Sequence, residues 1–328
     1  MLKGFKLAND DNVHEELVEY AEKGALRGKF LGFENLHNRY TIAYPGVTDW
    51  TGFPSSGKTQ VVLELLYNLS SFYGDKHLLY CPDIGTRKEI LSDLIHIHTG
   101  RTFDRRFKNR IDETEIANAT PWIMEHFVIL EKEDPKAKIT PYEFWELAVE
   151  LKKTRGIKNA LIDSWKDMSH SRERDFGRTD QYLEDVLSYR NDLAERNKLH
   201  FHTVIHPLKT DKDSSGQRKP PGPYDLKGGS EWYNNGKVIA TVHRPNGSTN
   251  EVEIIFHKIK PRSIGSPGKV ILHFDKRLMR YYQENAGGEA LYASAERRKT
   301  TAEKVQEAAA PKNVQGALDL PDDDDVPF

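Results

Sequence analysis

Apolar positions along the chain repeat with two alternating periods. In 12–24 (NVHEELVEYAEKG), Val13, Leu17 and Tyr20 fall at helical spacing before Gly24, which predicts a short amphipathic helix. GVTDW (46–50) reads as a strand entering a Gly-rich turn, and TQVVLELLYNLSSFY (59–73) as the buried helix after it. HLLYC (77–81), HFVIL (126–130), NALID (159–163), HFHTVIH (200–206) and KVIATVH (237–243) are apolar runs of strand length, most of them separated by helical stretches. This alternation predicts an α/β fold: a mainly parallel sheet flanked by helices on both faces.

Beyond residue 250 the pattern changes twice. VEIIFHKI and KVILHF, joined by PRSIGSPG and followed by MRYY, predict a terminal hairpin or antiparallel pair. After Gln283 the chain becomes rich in Ala, Glu and Lys, which predicts a flexible linker over 284–317. The expected organisation is a 1–32 linker and subunit-docking helix, a 33–283 core, that linker, and a disordered acidic interaction tail at 318–328. No internal repeat is present.

Composition narrows the setting. At 328 residues the chain can bury a continuous core without staples. Cys81 is the sole cysteine, so no intramolecular disulfide forms, and a cytoplasmic location in a bacterial or phage-infected cell is expected. No apolar run approaches the roughly 18 residues of a membrane span, and the start MLKGFKLAND is unlike a signal peptide. Net charge is −2 from 48 basic and 50 acidic residues, which argues against a protein that coats nucleic acid generally. Five of the acids crowd the last ten residues, however, so the remainder is weakly basic and can still line a pore with Lys and Arg.

The chemistry begins at 52–59. Gly52-Phe53-Pro54-Ser55-Ser56-Gly57-Lys58-Thr59 fits GxxxxGK[ST] between a predicted strand and a long helix. Glycines let backbone N–H groups curl around a phosphate at a helix N-terminus, where orphan donors and the helix dipole favour an anion. Gly52, Ser55, Ser56, Gly57, Lys58, Thr59 and Gln60 are therefore the expected ATP contacts. Lys58 is to reach the β- and γ-phosphates, and the Thr59 hydroxyl to hold Mg²⁺. A second Mg²⁺ carboxylate belongs at a neighbouring strand end, where Asp163 closes NALID. The group that orients the attacking water is expected to be Asp83, just after HLLYC; Glu89 is a rival, and Asp83 also suits a helix N-cap before TRKEILSDLI.

In order, these motifs resemble the helicase domain of the Twinkle and DnaB family of ring-forming, RecA-like replicative motors. The resemblance covers about residues 25–283: GKFLGFENLHNRY leads into the core, GVTDWTGFPSSGKTQ matches the phosphate-loop region, and LIDSW matches the second acidic strand. LLYCPDIGTRKEI lies where the family places its catalytic Glu, with an Asp in that position here. HTVIHPLK resembles Twinkle's sensor strand, which implies that His206 senses the γ-phosphate. The long basic loop 208–229 corresponds to the segment that faces the central channel, so Lys209, Lys212, Arg218, Lys219 and Lys227 are implied contacts to single-stranded DNA. The resemblance further implies that Arg244 packs on the nucleotide base with Phe274 opposite. HKIKPRSIGSPGK resembles the segment that carries a cationic finger into the neighbouring subunit, offering Lys258, Lys260 and Arg262.

Leu320-Pro321-Asp322-Asp323-Asp324-Asp325-Val326-Pro327-Phe328 resembles the acidic, Phe-terminated tip of bacterial single-stranded-DNA-binding proteins. It is expected to recruit a replication protein such as a polymerase, primase or loader, with the aspartates steering and Phe328 filling a pocket. The implied function is an ATP- and Mg²⁺-dependent DNA helicase working as a homohexamer, without a primase domain. Two readings compete with it: a RecA-like recombination or annealing ATPase that forms filaments, and a non-enzymatic, nucleotide-gated scaffold.

Overall fold

The phosphate loop owes its position to a sheet that changes direction of growth beside it. The computed structural model describes residues 12–24, 27–208, 219–245 and 249–294. Helices α1 (Val13–Lys23) and α2 (Glu34–His37) precede strand β1 (Gly46–Thr51), which enters helix α3 (Lys58–Tyr73). There follow β2 (Lys76–Tyr80), α4 (Arg87–Thr99), α5 (Glu113–His126), β3 (Phe127–Ile129), α6 (Pro141–Arg155) and β4 (Ile157–Asp163). The parallel part ends through α7 (Glu173–Phe176), α8 (Thr179–Asn197), β5 (His200–Ile205), α9 (Gly229–Asn235) and β6 (Val238–His243). Four antiparallel strands close the described chain: β7 (Glu251–Ile259), β8 (Gly268–Asp275), β9 (Arg280–Glu284) and β10 (Ala290–Tyr292).

Among the described residues the strands form one sheet in the order β10-β9-β8-β7-β6-β1-β5-β4-β2-β3. Strands β1 to β6 are mutually parallel, and β1 lies between β5 and β6. Side chains from α3, α4 and α5 pack into one apolar cluster and those from α6, α8 and α9 into another, so both sheet faces are covered. The crevice outside the carboxyl ends of such strands, beside a topological switch point, is where open α/β sheets hold ligands. Here that end carries Gly52, Asp83, Asp163 and His206.

Helix starts follow side-chain chemistry. Thr86, Asp112 and Thr140 cap α4, α5 and α6, each with Glu three residues on in a capping box. The C-terminal region departs from expectation by adding strands. β10 pairs with β9 through Leu291↔Gln283 and Tyr292↔Tyr282, so 284–293 belongs to the body instead of the linker expected there. Tyr292 packs 5.6 Å from Tyr282 and donates to Asp275, contacts that a search for long apolar runs cannot detect. The remainder of 284–317, and the tail with Asp322, Asp323, Asp324, Asp325 and Phe328, lies outside the described residues.

Three fully buried histidines bear on stability. His200 Nε2 pairs with Thr48 Oγ1 (2.8 Å), His202 Nδ1 accepts from Trp50 Nε1 (3.3 Å), and His77 Nε2 pairs with Ser70 Oγ (2.9 Å). Burial pushes His77 down to about 3, His200 to about 4, and His202 well below the ordinary value. The unfolded chain therefore binds more protons below pH ~6.5, and each histidine lowers stability by about 1.4 kcal/mol per pH unit until its folded value is reached. Asp163, raised by burial to about 6, opposes this but is displaced by less than His77 or His200, and Asp49 and Glu64 are raised in the same direction as Asp163. Urea unfolding is expected to show a falling midpoint between pH 6.5 and 5; a flat profile would contradict neutral buried imidazoles.

Candidate functional site

Between β1 and α3 the chain must turn with backbone tight against its neighbours. Gly52 has φ +149°, and a Cβ there would lie 2.2 Å from the Val242 carbonyl oxygen. Gly57 has φ +91°, and its Cβ would lie 3.0 Å from the Tyr281 hydroxyl and 3.2 Å from Arg244 Nη2. Ser55 also takes a positive φ, 63°, which tightens the curl. Ser56 Oγ is buried with no hydrogen-bond partner among the described residues, a polar group that an anion in the loop would satisfy. Lys58 is buried and its Nζ donates to Gly52 O (3.0 Å) and Phe53 O (2.9 Å). Burial lowers its pKa, opposed by Asp163 and Asp83. Gln60 faces away, donating to Asp93 on α4 at 3.0 Å.

Residues from the ends of β2, β4 and β5 converge on this loop. Thr59 Oγ1 donates to Asp163 Oδ2, bringing the two expected Mg²⁺ ligands together. Asp163 is 2% exposed, and burial pushes its carboxyl up to about 6 against the opposing effects of Thr59 and Lys58. Asp83 meets Lys166 Nζ at 3.0 Å, Ser164 Oγ at 3.2 Å and His206 Nε2 at 3.2 Å. Partial burial raises the Asp83 carboxyl, but Lys166, His206 and Ser164 outweigh this and hold it below the usual range. His206 is held below its ordinary value, first by burial and then by Lys58.

The N-cap alternative for Asp83 is corrected by this geometry. Thr86 caps α4, and the carboxylate of exposed Glu89 accepts from Thr86 N at 2.8 Å, so Glu89 completes the cap and Asp83 is left to the site. Lys166 and Ser164 were missed from the sequence; they follow Asp163 within three residues, so proximity to a strand-end acid was the available signal. Among the described residues no group of three or more His, Cys, Asp or Glu is arranged to hold a metal by itself. A Thr–Asp pair beside an anion cradle fits Mg²⁺ all the same, because Mg²⁺ keeps waters and draws its other ligands from substrate phosphates.

Around this centre the other candidates separate. Arg244 lies over the Phe274 ring at 5.4 Å, and its Nε donates to Ser56 O at 3.2 Å. Phe274 also packs 4.9 Å from Tyr281, so Arg244 and Phe274 close on one another by cation–π contact, where opposed walls of a base slot were expected. Of the three finger candidates, Lys258 is buried: its Nζ donates to Tyr233 O and to Asn234 O (3.3 Å) and sits 4.9 Å from the Tyr233 ring centre. Those carbonyls end α9, where a cation is favoured, so Lys258 is occupied within its own subunit. Lys260 and Arg262 are exposed. They follow β7, whose Ile259 pairs with Val238 at the start of β6, so they lie at the end of the sheet opposite the phosphate loop.

The ends of the basic loop are pinned: Leu208 N donates to Asp225 O at 2.7 Å, and Thr241 Oγ1 donates to Pro221 O at 2.6 Å. Lys219 and Lys227 are exposed, while Lys209, Lys212 and Arg218 fall outside the described residues. Lys227 is close enough to His170 to lower its pKa, after the larger effect of burial. His170 lines a cavity of about 800 Å³ that also receives Lys132, Lys138, Lys166, Arg174 and Arg178. This basic hollow beside Asp83 was not foreseen, because its residues come from two segments far apart in the chain, the β3–α6 connection and the stretch from Lys166 to Thr179.

With this geometry in view, the chain can be compared with known proteins. Over 272 residues, 80% of this chain, it is 24% identical to the Twinkle homolog protein, chloroplastic/mitochondrial, of Arabidopsis thaliana. It spans 38% of that relative's length. The chain matches no protein-family model. An ATPase domain of known structure superposes with a TM-score of 0.68 at 20% identity, covering 83% of this chain and 99% of that one. A DnaB-like replicative helicase, described with its interactions with primase, gives 0.67 at 19% identity, covering 84% of this chain and 67% of that one. The fold is RecA-like. The strand ends that carry Gly52, Asp163 and His206 thus lie at the carboxyl edge of one RecA-like sheet, and the resemblance holds in sequence to the Twinkle homolog and in fold to the DnaB-like helicase. No helix among the described residues is long and apolar enough to cross a membrane.

Proposed function

We propose that this chain is an ATP-hydrolysing replicative DNA helicase whose subunits form a homohexameric ring on single-stranded DNA. The observation that carries the reading is the meeting of Thr59 with Asp163 beside Lys58, with Asp83 and His206 hydrogen-bonded next to them. Lys58 binds the β- and γ-phosphates, Thr59 and Asp163 hold Mg²⁺, and Asp83 orients the attacking water. Mg²⁺, when held by Thr59 and Asp163, would supply charge neutralisation at the phosphates, while Lys58 and the loop backbone position them. His206 joins the γ-phosphate region to the basic loop that begins two residues later. Its contact with Asp83 supports a role in relaying nucleotide state to that loop.

The two ends of the sheet support oligomer formation. Phosphate loop at one end and exposed cations Lys260 and Arg262 at the other suit head-to-tail packing, a heterologous contact that closes into a ring or continues as a filament. Helix α1 exposes Leu17 (61%) and Tyr20 (57%), an apolar face suited to docking on the next subunit. Single-stranded DNA runs past Lys219, Lys227 and the basic hollow that holds Lys166. Lys209, Lys212 and Arg218 extend this contact, and the tail ending in Phe328 recruits replication proteins.

Steady-state ATPase assays with and without single-stranded DNA test the reading. Stimulation is expected, with Lys260→Ala or Arg262→Ala losing about 100-fold or more through the missing trans cation. Lys258→Ala is expected to act through stability instead. Turnover near background with DNA present would overturn the motor reading, and open filaments in micrographs would favour an assembly ATPase. Within the site, Asp83→Asn is expected to lower turnover about 100-fold, whereas Glu89→Gln changes only the α4 cap. The reverse ranking would move the water-orienting role to Glu89.

A further inference from the structure

The segment RTFDRRFKNR (101–110), between α4 and α5, is absorbed by none of the roles above. It carries five Arg or Lys against one acid, Asp104, and two phenylalanines that the structure leaves open to solvent, Phe103 (41%) and Phe107 (52%). A run of solvated charge accounts for the cations but not for two exposed aromatic rings set among them.

The loop is tied down. Thr102 N donates to Asn109 O at 3.0 Å and Ile111 N to Thr102 O at 2.8 Å, closing it on itself. Asn109 Nδ2 donates to Gly100 O and to Arg277 O, both at 3.1 Å, and His96 Nε2 lies 2.9 Å from the same Arg277 carbonyl. These contacts join the loop to the β8–β9 turn, which adds exposed Lys276 and Arg277. Arg101 and Arg106 are paired with Glu115 and Asp104. Arg105, Lys108, Arg110, Lys276 and Arg277 form no ion pair among the described residues, so their charge is available to a partner.

We propose that this loop and the β8–β9 turn form a second binding surface for single-stranded nucleic acid, separate from loop 208–229. Exposed rings stack on bases whatever their sequence, and interspersed cations follow the phosphates, the combination by which proteins hold single strands without reading them. Because the loop is held by its own hydrogen bonds, little ordering is required on binding. α4 and α5 pack on one face of the sheet, α8 and α9 on the other. A strand held at Lys219 and Lys227 therefore meets this surface only by passing around an edge, so the surface suits a second segment of strand. The inference deepens the motor reading and rests on it for the identity of the ligand.

Fluorescence anisotropy of the intact protein with labelled oligo(dT) and oligo(U) tests it, using Phe103→Ala/Phe107→Ala, Arg105→Ala/Lys108→Ala/Arg110→Ala and, for comparison, Lys219→Ala/Lys227→Ala. The double phenylalanine variant is expected to weaken binding about 10-fold, with its melting temperature and DNA-free ATPase unchanged. The triple variant is expected to reduce the slope of log affinity against log salt by about 2. The ratio of the two oligonucleotide affinities identifies the preferred strand. Unaltered affinity in the phenylalanine variant, with weakening in the Lys219/Lys227 variant, would overturn this surface and leave the motor reading intact. No binding by the wild type would overturn both. Binding of an acidic, Phe-terminated peptide at Phe103 and Phe107 without binding of either oligonucleotide would assign the surface to a protein partner and overturn it as well.

Discussion

Lys58→Ala is expected to lower ATP turnover by about 100- to 1000-fold, the loss typical when one preorganised electrostatic donor is removed from a phosphoryl- or acyl-transfer site. Burial gives the effect its size. The ammonium sits against the carbonyls of Gly52 and Phe53 with Asp163 and Asp83 nearby, in surroundings where water screens charge poorly. Those carbonyls hold the lysine at the mouth of the loop, so phosphates compete for a cation already in place. Alanine leaves the backbone cradle and the α3 N-terminus intact, so nucleotide binding should weaken less than turnover falls. Steady-state ATPase assays beside titration with a fluorescent nucleotide separate the two. Turnover within about tenfold of wild type would remove Lys58 from the phosphoryl-transfer step. Stability should change little, because the lysine neutralises no acid by direct contact and its hydrogen bonds are to carbonyls of its own loop.

The parts of this site legible in the sequence share one property: they are local. Gly52 to Thr59 form one strand–turn–helix unit whose spacing is dictated by the phosphate they would surround, and Asp163 closes an apolar run of strand length. The parallel sheet was legible for the same reason, since every parallel strand but the three-residue β3 spans five to seven consecutive residues. What stayed hidden depends on residues far apart in the chain. The choice between Asp83 and Glu89 turns on which residue caps α4, and from the sequence Asp83 itself suited that cap. The structure gives the cap to Thr86 because Glu89 completes its box three residues on. Lys258 looked like a free cation until α9 brought the carbonyls of Tyr233 and Asn234 to it. β10 has too few residues to show a period, and exists because β9 offers an edge to pair with.

Arg190→Ala is expected to destabilise the fold by about 3–5 kcal/mol, the cost of leaving a buried charge without its partner. Arg190 on α8 and Asp49 on β1 are both fully buried, joined by two hydrogen bonds of 2.5 and 3.1 Å, and Arg190 also donates to Thr203 at 3.1 Å. Its guanidinium lies 6.0 Å from the Trp145 ring centre and 5.9 Å from that of Trp232, so the pair is enclosed by α6 and α9 as well. Burial raises the Asp49 carboxyl, with Arg190 opposing, and removing the arginine removes that opposition. Asp49 lies three residues before Gly52, so a shifted β1 would also move the phosphate loop. The double variant Arg190→Met/Asp49→Leu separates charge from packing. Replacing both partners with apolar groups of similar size is often neutral or stabilising, so it should recover most of the lost stability in urea unfolding. If the double variant is as unstable as Arg190→Ala, the loss comes from the stacked guanidinium and its packing between Trp145 and Trp232 instead of from the stranded carboxylate.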